Sequence, residues 1–287
     1  MAGLCAFFPT RHIGSDPVAI RDWAQAAEDL GYDWIDVPDH VLGADPSRHP
    51  GWQPPYTWQD EFHETFVTLG YLAACTSRIG LASAVLILPQ RQTALVAKQA
   101  AQVDMLSGGR LRLGIGSGWN FVEYACLNES WETRGRRMGE QVQLMRRLWT
   151  EELVDFQGEW HSVAGAGIRP VPVQRPIPVW FGGTHPAALR RAARLGDGWI
   201  PISPPNDAAM TMVETLRGML EAEGRSPGDF GIEAWLRVRT TDEDEWASAI
   251  EGWRGLGATL LTIYPLYDVA SIGEHIEVLR RFREVAG

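Results

Sequence analysis

Residues 106–119 read Leu-Ser-Gly-Gly-Arg-Leu-Arg-Leu-Gly-Ile-Gly-Ser-Gly-Trp. Apolar residues recur at helical spacing after Thr93, and Ser107-Gly108-Gly109 is the kind of sequence that ends a helix. The apolar run Leu111–Gly116 that follows is short, as is typical of a buried parallel strand. Glycines at its end would let backbone N–H groups face a ligand. This stretch therefore predicts a helix and a strand, with the strand ending at a binding site.

The same alternation of helical stretches and short apolar runs extends over almost the whole chain. It predicts eight buried strands, which are Leu4–Phe8, Trp34–Val37, Gly80–Ile87, Leu111–Gly116, Pro178–Gly183, Gly198–Ile202, Ile232–Val238 and Leu260–Pro265. The first helix is expected to have Asp16 as N-cap and Pro17 as its first residue.

Eight strands, each followed by a helix, predict an α/β protein, a single (β/α)8 TIM barrel with insertion loops over residues 1–287. An open doubly wound sheet is less consistent with the sequence, because the first strand ends in Pro9-Thr10-Arg11-His12 without a glycine-rich turn. In a closed barrel, the working site is expected at the carboxyl ends of the strands.

The bulk composition limits the possible partners. Lys+Arg 26 and Asp+Glu 36 give a net charge of −10, which argues against general affinity for nucleic acid or an anionic membrane. No apolar run approaches the roughly 18 residues that span a bilayer, no leader peptide opens the chain, and the three cysteines form no CxxC pair. We therefore expect a cytoplasmic protein that acts on a small molecule. The seven histidines show no metal-binding motif, so no metal is predicted.

Two connections are too long for simple links between strand and helix. Residues 43–60 follow the second strand and contain Trp52, Tyr56 and Trp58, which could roof a flat ligand or simply pack as a surface loop. Residues 155–178 follow a helix and are rich in glycine and proline, so a structural or dimer-contact loop is expected there.

Residues that could carry chemistry follow the second to fifth strands, whereas the seventh and eighth are expected to contribute little. Asp39-His40 ends the second strand and could transfer protons, although Asp39 could instead cap a turn and His40 fill the rim. The small residues of the third strand would let a flat ring approach its backbone. Gly182-Gly183-Thr184 leads into a helix that Thr184 would cap, which predicts either a phosphate site or merely a tight turn.

In order and spacing, these pieces resemble the luciferase-like flavin and deazaflavin oxidoreductases. The resemblance covers about residues 20–205, while the last third is similar only in its strand-helix rhythm. The segments that carry it are Ala26–Tyr32 running to Asp39-His40, Thr76–Leu81 into Val85–Pro89, Leu106–Trp119, and Gly182–Leu189 through Gly196-Asp197-Gly198-Trp199.

The resemblance implies that FMN or the deazaflavin coenzyme F420 binds at the strand ends, and that the protein is a homodimer. Arg134-Gly135-Arg136-Arg137-Met138 followed by Glu140 is similar to the F420-dependent branch. The residues that the resemblance places at the cofactor are Asp39, His40, Ala84 and Val85 (joined by a cis peptide in several members), Gly116, Ser117, Gly118, Trp119, Gly182, Gly183 and Thr184.

The activity implied is hydride transfer between F420 and a small organic substrate. His40 would exchange the accompanying proton, and Asp39 would orient it or contact the ring. Trp119 stands where F420-dependent sugar-phosphate dehydrogenases of this family have a glutamate, which puts that acid and that substrate class in doubt. The alternatives are an FMN-dependent monooxygenase that uses O2 and a non-catalytic flavin-binding barrel.

Overall fold

The computed structural model describes residues 2–239, 241–265, 269 and 271–287. Its strands are β1 Gly3–Phe7, β2 Trp34–Val37, β3 Gly80–Ile87, β4 Leu111–Gly116, β5 Val154–Gln157, β6 Ser162–Ala166, β7 Val179–Gly182, β8 Gly198–Ile200, β9 Gly231–Val238 and β10 Leu260–Pro265. Its helices are α1 Pro17–Asp29, α2 Thr65–Cys75, α3 Thr93–Ser107, α4 Phe121–Cys126, α5 Arg134–Thr150, α6 Pro186–Leu195, α7 Asp207–Ala222, α8 Glu243–Leu256 and α9 Ile272–Ala286. Within these ranges, no helix is both long and apolar enough to cross a bilayer.

Eight parallel strands close into a barrel in the order β1-β10-β9-β8-β7-β4-β3-β2, which confirms the predicted (β/α)8 fold. The predicted bounds of β2, β3, β4 and β10 agree with the structure, and the others differ by one or two residues. The predicted start of α1 is also confirmed, since Asp16 accepts a hydrogen bond from the Val18 N–H at 2.9 Å. Gly108 ends α3 with φ 70°, as a glycine C-cap should.

The second long connection differs from the expected loop, because β5 and β6 form an antiparallel hairpin within residues 154–166. Glu140 of α5 holds its turn. The carboxylate of Glu140 accepts hydrogen bonds from the backbone N–H groups of Glu159, Trp160 and His161 at 2.7–2.9 Å, and lies 2.7 Å from the His161 ring. Glycine and proline content did not reveal the hairpin, because the carboxylate that holds its turn belongs to the preceding helix, α5.

The amino end of the barrel is filled by two tryptophans. A Cβ on Gly80 would lie 2.4 Å from the Trp34 ring, and a Cβ on Gly198 or Gly231 would lie 2.2 Å from the Trp180 ring. Glycines are therefore required where these indole rings cross the neighbouring strands. The two rings and their glycines close the lower half of the barrel.

A buried ionic cluster contacts both of these rings. The Arg112 guanidinium stacks between Trp34 and Trp180 at 4.6 and 4.3 Å, and it hydrogen-bonds both Asp36, at 3.2 Å, and Glu233. Burial, and then the nearby Glu233 carboxylate, raise the pKa of Asp36 well above its ordinary value. One guanidinium faces two buried carboxylates, and a dry interior disfavours the excess negative charge that ionisation of both would leave.

Candidate active site

A cavity of about 340 Å³ opens at the carboxyl ends of the barrel strands. Most of the residues predicted for the cofactor site line it, namely Asp39, His40, Ala84, Val85, Gly116, Ser117, Gly118, Trp119, Gly182 and Gly183. They come from loops or strand ends at β2, β3, β4 and β7, which adjoin one another in the barrel. The fold thus brings together residues that are up to 144 positions apart, counted from Asp39 to Gly183 (183 − 39).

The floor of the cavity is aromatic and comes largely from strands that the sequence analysis passed over. Phe7 meets Trp235 and Tyr264 edge to face, with ring centroids 5.1 and 4.4 Å apart. The indole N–H of Trp235 donates to Glu233 at 2.8 Å, so the floor is tied to the ionic cluster beneath it. The expectation that the seventh and eighth barrel strands contribute little was wrong, because alternate residues of β9 and β10 point into the barrel.

Val85 forms a ledge at one side of the cavity. The Ala84–Val85 peptide is cis, where the family resemblance places it. A Cβ on Gly116 would lie 2.7 Å from one Val85 methyl group, and a Cβ on Gly182 would lie 3.0 Å from the other. Glycine on both neighbouring strands therefore leaves room for Val85 to project between them. The result is an apolar shelf against which a flat ring can lie.

The loop after β4 is fixed by backbone geometry and one phenol. Gly118 has φ +64°, a conformation that other residues rarely adopt, and a Cβ there would lie 2.8 Å from Ile87. The Tyr124 hydroxyl donates to the Ser117 carbonyl at 2.8 Å. These contacts hold residues 116–118 at the edge of the cavity.

The turn after β7 differs from its prediction. His185 rather than Thr184 is the N-cap of α6: its ring nitrogen accepts from the Ala187 N–H at 3.2 Å, while Thr184 is exposed and lies outside the cavity lining. The Gly183 N–H donates to the Ile200 carbonyl at 3.3 Å. Two N–H groups at this turn, those of Gly183 and Ala187, therefore already have acceptors.

His40 is held by a carboxylate that the sequence analysis missed. Its Nδ1 lies 3.2 Å from both carboxylate oxygens of Glu123, which is fully buried in α4. The same carboxylate accepts from the Val41 and Leu42 N–H groups at 2.8 and 3.2 Å and from the Gln90 amide at 3.2 Å. Burial acts to raise the pKa of Glu123, but these hydrogen bonds, with that of His40 first, hold it below its ordinary value.

Glu123 could have been suspected from its position. Asn120 caps α4 by accepting from the Val122 and Glu123 N–H groups at 3.1 and 3.4 Å, which places Glu123 in the first turn of the helix beside the strand-four glycines. A carboxylate four residues after Trp119 therefore points back toward the barrel mouth. The spacing alone does not show that His40 comes to the same place.

Asp39 has different partners from those expected. It does not hydrogen-bond His40; its carboxylate accepts from the Arg91 guanidinium at 2.6 Å, the Thr65 hydroxyl at 2.9 Å and the Ile87 N–H at 2.8 Å. The side chain is buried, and these bonds tie the end of β2 to the end of β3. Its geometry is that of a residue that holds the Val85 ledge in place.

Aromatic rings surround the His40 imidazole. Phe62, Trp119 and Tyr56 lie with ring centroids 4.7, 5.2 and 5.4 Å from it. The Tyr56 hydroxyl is 2.7 Å from that of Tyr264, so the 43–60 loop reaches across the cavity to β10.

The 43–60 loop forms part of the roof of the cavity. Tyr56 lines the cavity, and Trp52 packs behind the lining against Trp119 at 5.8 Å. Trp58 is 63% exposed and belongs to the outer surface.

Comparison with known proteins agrees with this architecture. Residues 4–283 match the sequence profile of the luciferase-like monooxygenase family. An F420-dependent glucose-6-phosphate dehydrogenase of Kineococcus radiotolerans is 32% identical over 269 residues, which are 92% of this chain and 75% of that protein. An uncharacterised protein of Mycobacterium tuberculosis is 35% identical over 211 residues, 71% of this chain and 72% of the other.

Solved structures share the fold at low sequence identity. An F420-dependent secondary alcohol dehydrogenase in complex with an F420-acetone adduct superposes with a TM-score of 0.81 at 17% identity, covering 100% of both chains. A monooxygenase from Streptomyces bottropensis has a TM-score of 0.79 at 20% identity, covering 98% of both chains. The profile match over residues 4–283 establishes that the chain belongs to the luciferase-like monooxygenase family.

Proposed function

We propose that this protein is an F420-dependent oxidoreductase that transfers a hydride between the deazaflavin and a small, largely apolar organic substrate. The observation that carries the proposal is the His40–Glu123 pair at a cavity whose side is the Val85 ledge. Such a cavity offers a flat apolar shelf and an acid-base group together. The curated relatives that bear the name F420-dependent glucose-6-phosphate dehydrogenase support the choice of cofactor.

The residues present fit a tricyclic cofactor. Side chains on Gly116 or Gly182 would collide with Val85, so the absence of Cβ at both positions keeps the shelf open. Residues 116–118 and the turn at Gly182-Gly183 would hold the phosphorylated tail. When bound, F420 supplies the hydride chemistry, and the barrel supplies position, exclusion of water and a proton donor or acceptor.

His40 would hold the proton that accompanies hydride transfer. A carboxylate at Nδ1 favours the tautomer that carries its proton there, which leaves Nε2 to give or take a proton in the cavity. Glu123 would also stabilise the imidazolium form through a charge-assisted hydrogen bond. In this scheme Glu123 takes the orienting role that the sequence analysis gave to Asp39, while Asp39 holds the strand ends together.

The cavity wall argues for a substrate unlike a sugar phosphate. Phe7, Phe62, Trp119, Trp235 and Tyr264 present carbon surface to the cavity. By the family resemblance, Trp119 stands where F420-dependent sugar-phosphate dehydrogenases have a glutamate. Aromatic walls bind apolar or aromatic molecules through burial of surface and ring stacking. We therefore expect small alcohols, aldehydes or enones rather than phosphorylated sugars to be turned over.

Titration of the apoprotein with F420 and with FMN in parallel, followed by optical difference spectra, tests the proposal. F420 should bind more tightly, and the loaded protein should exchange hydride with at least one member of a panel of small alcohols, aldehydes and enones. Tight FMN binding with O2 consumption would instead establish the flavin monooxygenase. Tight binding without turnover of any kind would establish a non-catalytic barrel.

The His40→Ala variant tests the acid-base assignment. Because a positioned general acid or base contributes about 10²- to 10⁴-fold, turnover should fall by at least about 100-fold while the dissociation constant of F420 changes little. Unchanged turnover would remove His40 from the mechanism. The homodimer remains a prediction from the family resemblance, and sedimentation equilibrium tests it.

A further inference from the structure

Four arginines, one at the start of α5 and three in α6, lie together on the outer face of the barrel. This arginine cluster consists of Arg134, Arg190, Arg191 and Arg194. Arg190, Arg191 and Arg194 line a surface groove of about 400 Å³, which Glu223 at the end of α7 also lines. In the described part of the chain, no ion pair joins any of the four to a carboxylate, whereas the neighbouring Arg137 is paired with Glu129.

The helices are shaped to hold these side chains. A Cβ on Gly135 would lie 2.9 Å from an Arg191 guanidinium nitrogen, and Gly139, one turn later, lies beside Arg194. Gly135 therefore leaves space that the Arg191 side chain occupies, whereas a Cβ on Gly139 would be at an ordinary contact distance of 3.9 Å from Arg194. The Arg191 Nε is buried without a hydrogen-bond partner. Burial, followed by the charges of Arg190, Arg134 and Arg194, lowers the pKa of Arg191.

Like charges held this close are unfavourable unless something else offsets them, and the chain as a whole has a net charge of −10. A local excess of positive charge on an acidic protein therefore indicates an anionic ligand.

Short contacts connect the arginine cluster to the cofactor site. Ser117, at the cavity edge, accepts from the Tyr124 hydroxyl at 2.8 Å, and the Tyr124 ring meets Trp131 edge to face at 5.2 Å. The Arg134 guanidinium lies 3.6 Å from the centre of the Trp131 ring and donates to the Trp131 carbonyl at 2.6 Å. One aromatic pair thus separates the loop after β4 from the first arginine.

On the other side, α6 begins three residues after Gly183 and carries the remaining arginines. Because His185 and Ile200 engage donors at this turn, a negatively charged group leaving the cavity here would depend on side-chain cations.

We propose that the arginine cluster binds the carboxylate-bearing end of the cofactor tail, beyond its phosphate. This inference rests on the proposed function and extends it: the ligand is a short chain of carboxylates, as F420 carries and FMN lacks. Guanidinium groups suit carboxylates because they can donate two parallel hydrogen bonds. Discrimination between the two cofactors would then come partly from outside the cavity.

Binding measurements with three probes test this. Isothermal titration would compare F420 with its glutamates intact, F420 hydrolysed to the phosphate-bearing form without glutamates, and the deazaflavin lacking both. We expect intact F420 to bind about two- to fivefold more tightly than the hydrolysed form at low salt, which corresponds to the upper part of the roughly 0.2–1 kcal/mol typical of exposed ion pairs. Near 1 M salt, where the screening length is roughly 3 Å, that advantage should largely disappear.

Two variants assign the effect to the arginine cluster. Arg190→Glu reverses an exposed charge without touching the packing, and Arg191→Gln removes the half-buried one. In each variant, intact F420 should bind no more tightly than the hydrolysed form. The dissociation constant of the deazaflavin that lacks both phosphate and tail should not change. Arg280→Ala on α9, whose side chain is exposed and pairs with Glu277, is the matched control and should have no effect.

Three results would overturn the inference. Equal affinity for intact and hydrolysed F420 would do so while leaving the proposed function standing. An equal loss of affinity for all three probes in both variants would show that the arginines stabilise the fold rather than bind the tail. Absence of binding by any F420 form would remove the inference and the proposed function together.

Discussion

Replacing Glu123 by glutamine tests how the carboxylate supports His40. The substitution keeps the shape of the side chain and its ability to accept from the Val41 and Leu42 N–H groups, but it removes the charge that lies 3.2 Å from the imidazole Nδ1. Hydrogen bonds to a charged group contribute about 1.5–3 kcal/mol and neutral ones about 0.5–1.5 kcal/mol, so the exchange costs about 1–1.5 kcal/mol. One factor of ten in rate corresponds to about 1.36 kcal/mol, and we therefore expect kcat to fall about tenfold.

Two measurements separate this role from a structural one. Nitrogen-15 NMR of the imidazole reports which ring nitrogen is protonated, and the Nδ1–H form of His40 should lose population in Glu123→Gln. Combined with His40→Ala, the glutamine should add no further loss, because a residue that acts through another is not additive with it.

The matched control is Glu140→Gln, which breaks a second Glu–His pair, that with His161 at 2.7 Å, away from the cavity. It should lower stability and leave kcat unchanged. Wild-type kcat and an unchanged tautomer in Glu123→Gln would refute the reasoning.

Three further predictions concern stability and pH. Gly231→Ala would place a methyl group 2.2 Å from the Trp180 ring and should lower the free energy of unfolding by about 1–3 kcal/mol in urea titrations; Gly70→Ala in α2, with nothing within 4 Å, should not destabilise. Asp39→Asn removes the buried carboxylate that pairs with Arg91 and leaves that guanidinium with its longer contact to the more exposed Glu64, so it should cost about 1–3 kcal/mol, while kcat per folded molecule changes less than it does in the His40 variant. Burial lowers the pKa of His275 from 6.5 to about 4, so the contribution of the neutral imidazole to stability is fully present above pH 6.5 and is lost on acidification. The free energy of unfolding in urea should be about 2 kcal/mol lower at pH 5 than at pH 7. His275→Leu should remove that difference.

The sequence predicted the barrel well because buried parallel strands produce continuous apolar runs, and glycines end them where backbone must approach a ligand. It also predicted which residues lie at the ends of β2, β3, β4 and β7, because the end of an apolar run marks where a strand reaches the mouth of the barrel. Glu123 and Trp235 escaped because their importance depends on partners brought together by barrel closure. The capping role of His185 escaped because threonine is the commoner N-cap and an imidazole can serve only in the correct rotamer.

The tryptophans that fill the amino end of the barrel have a consequence for exchange with solvent. Since the Trp34 and Trp180 rings occupy the axis between close-fitting glycines, ligands have to enter and leave by the mouth beneath the 43–60 loop. A substrate that lies between the Val85 ledge and Tyr56 then stands in the path of the cofactor. We therefore expect an ordered sequence in steady-state kinetics, with the cofactor arriving first and departing last, and product inhibition patterns can reveal it.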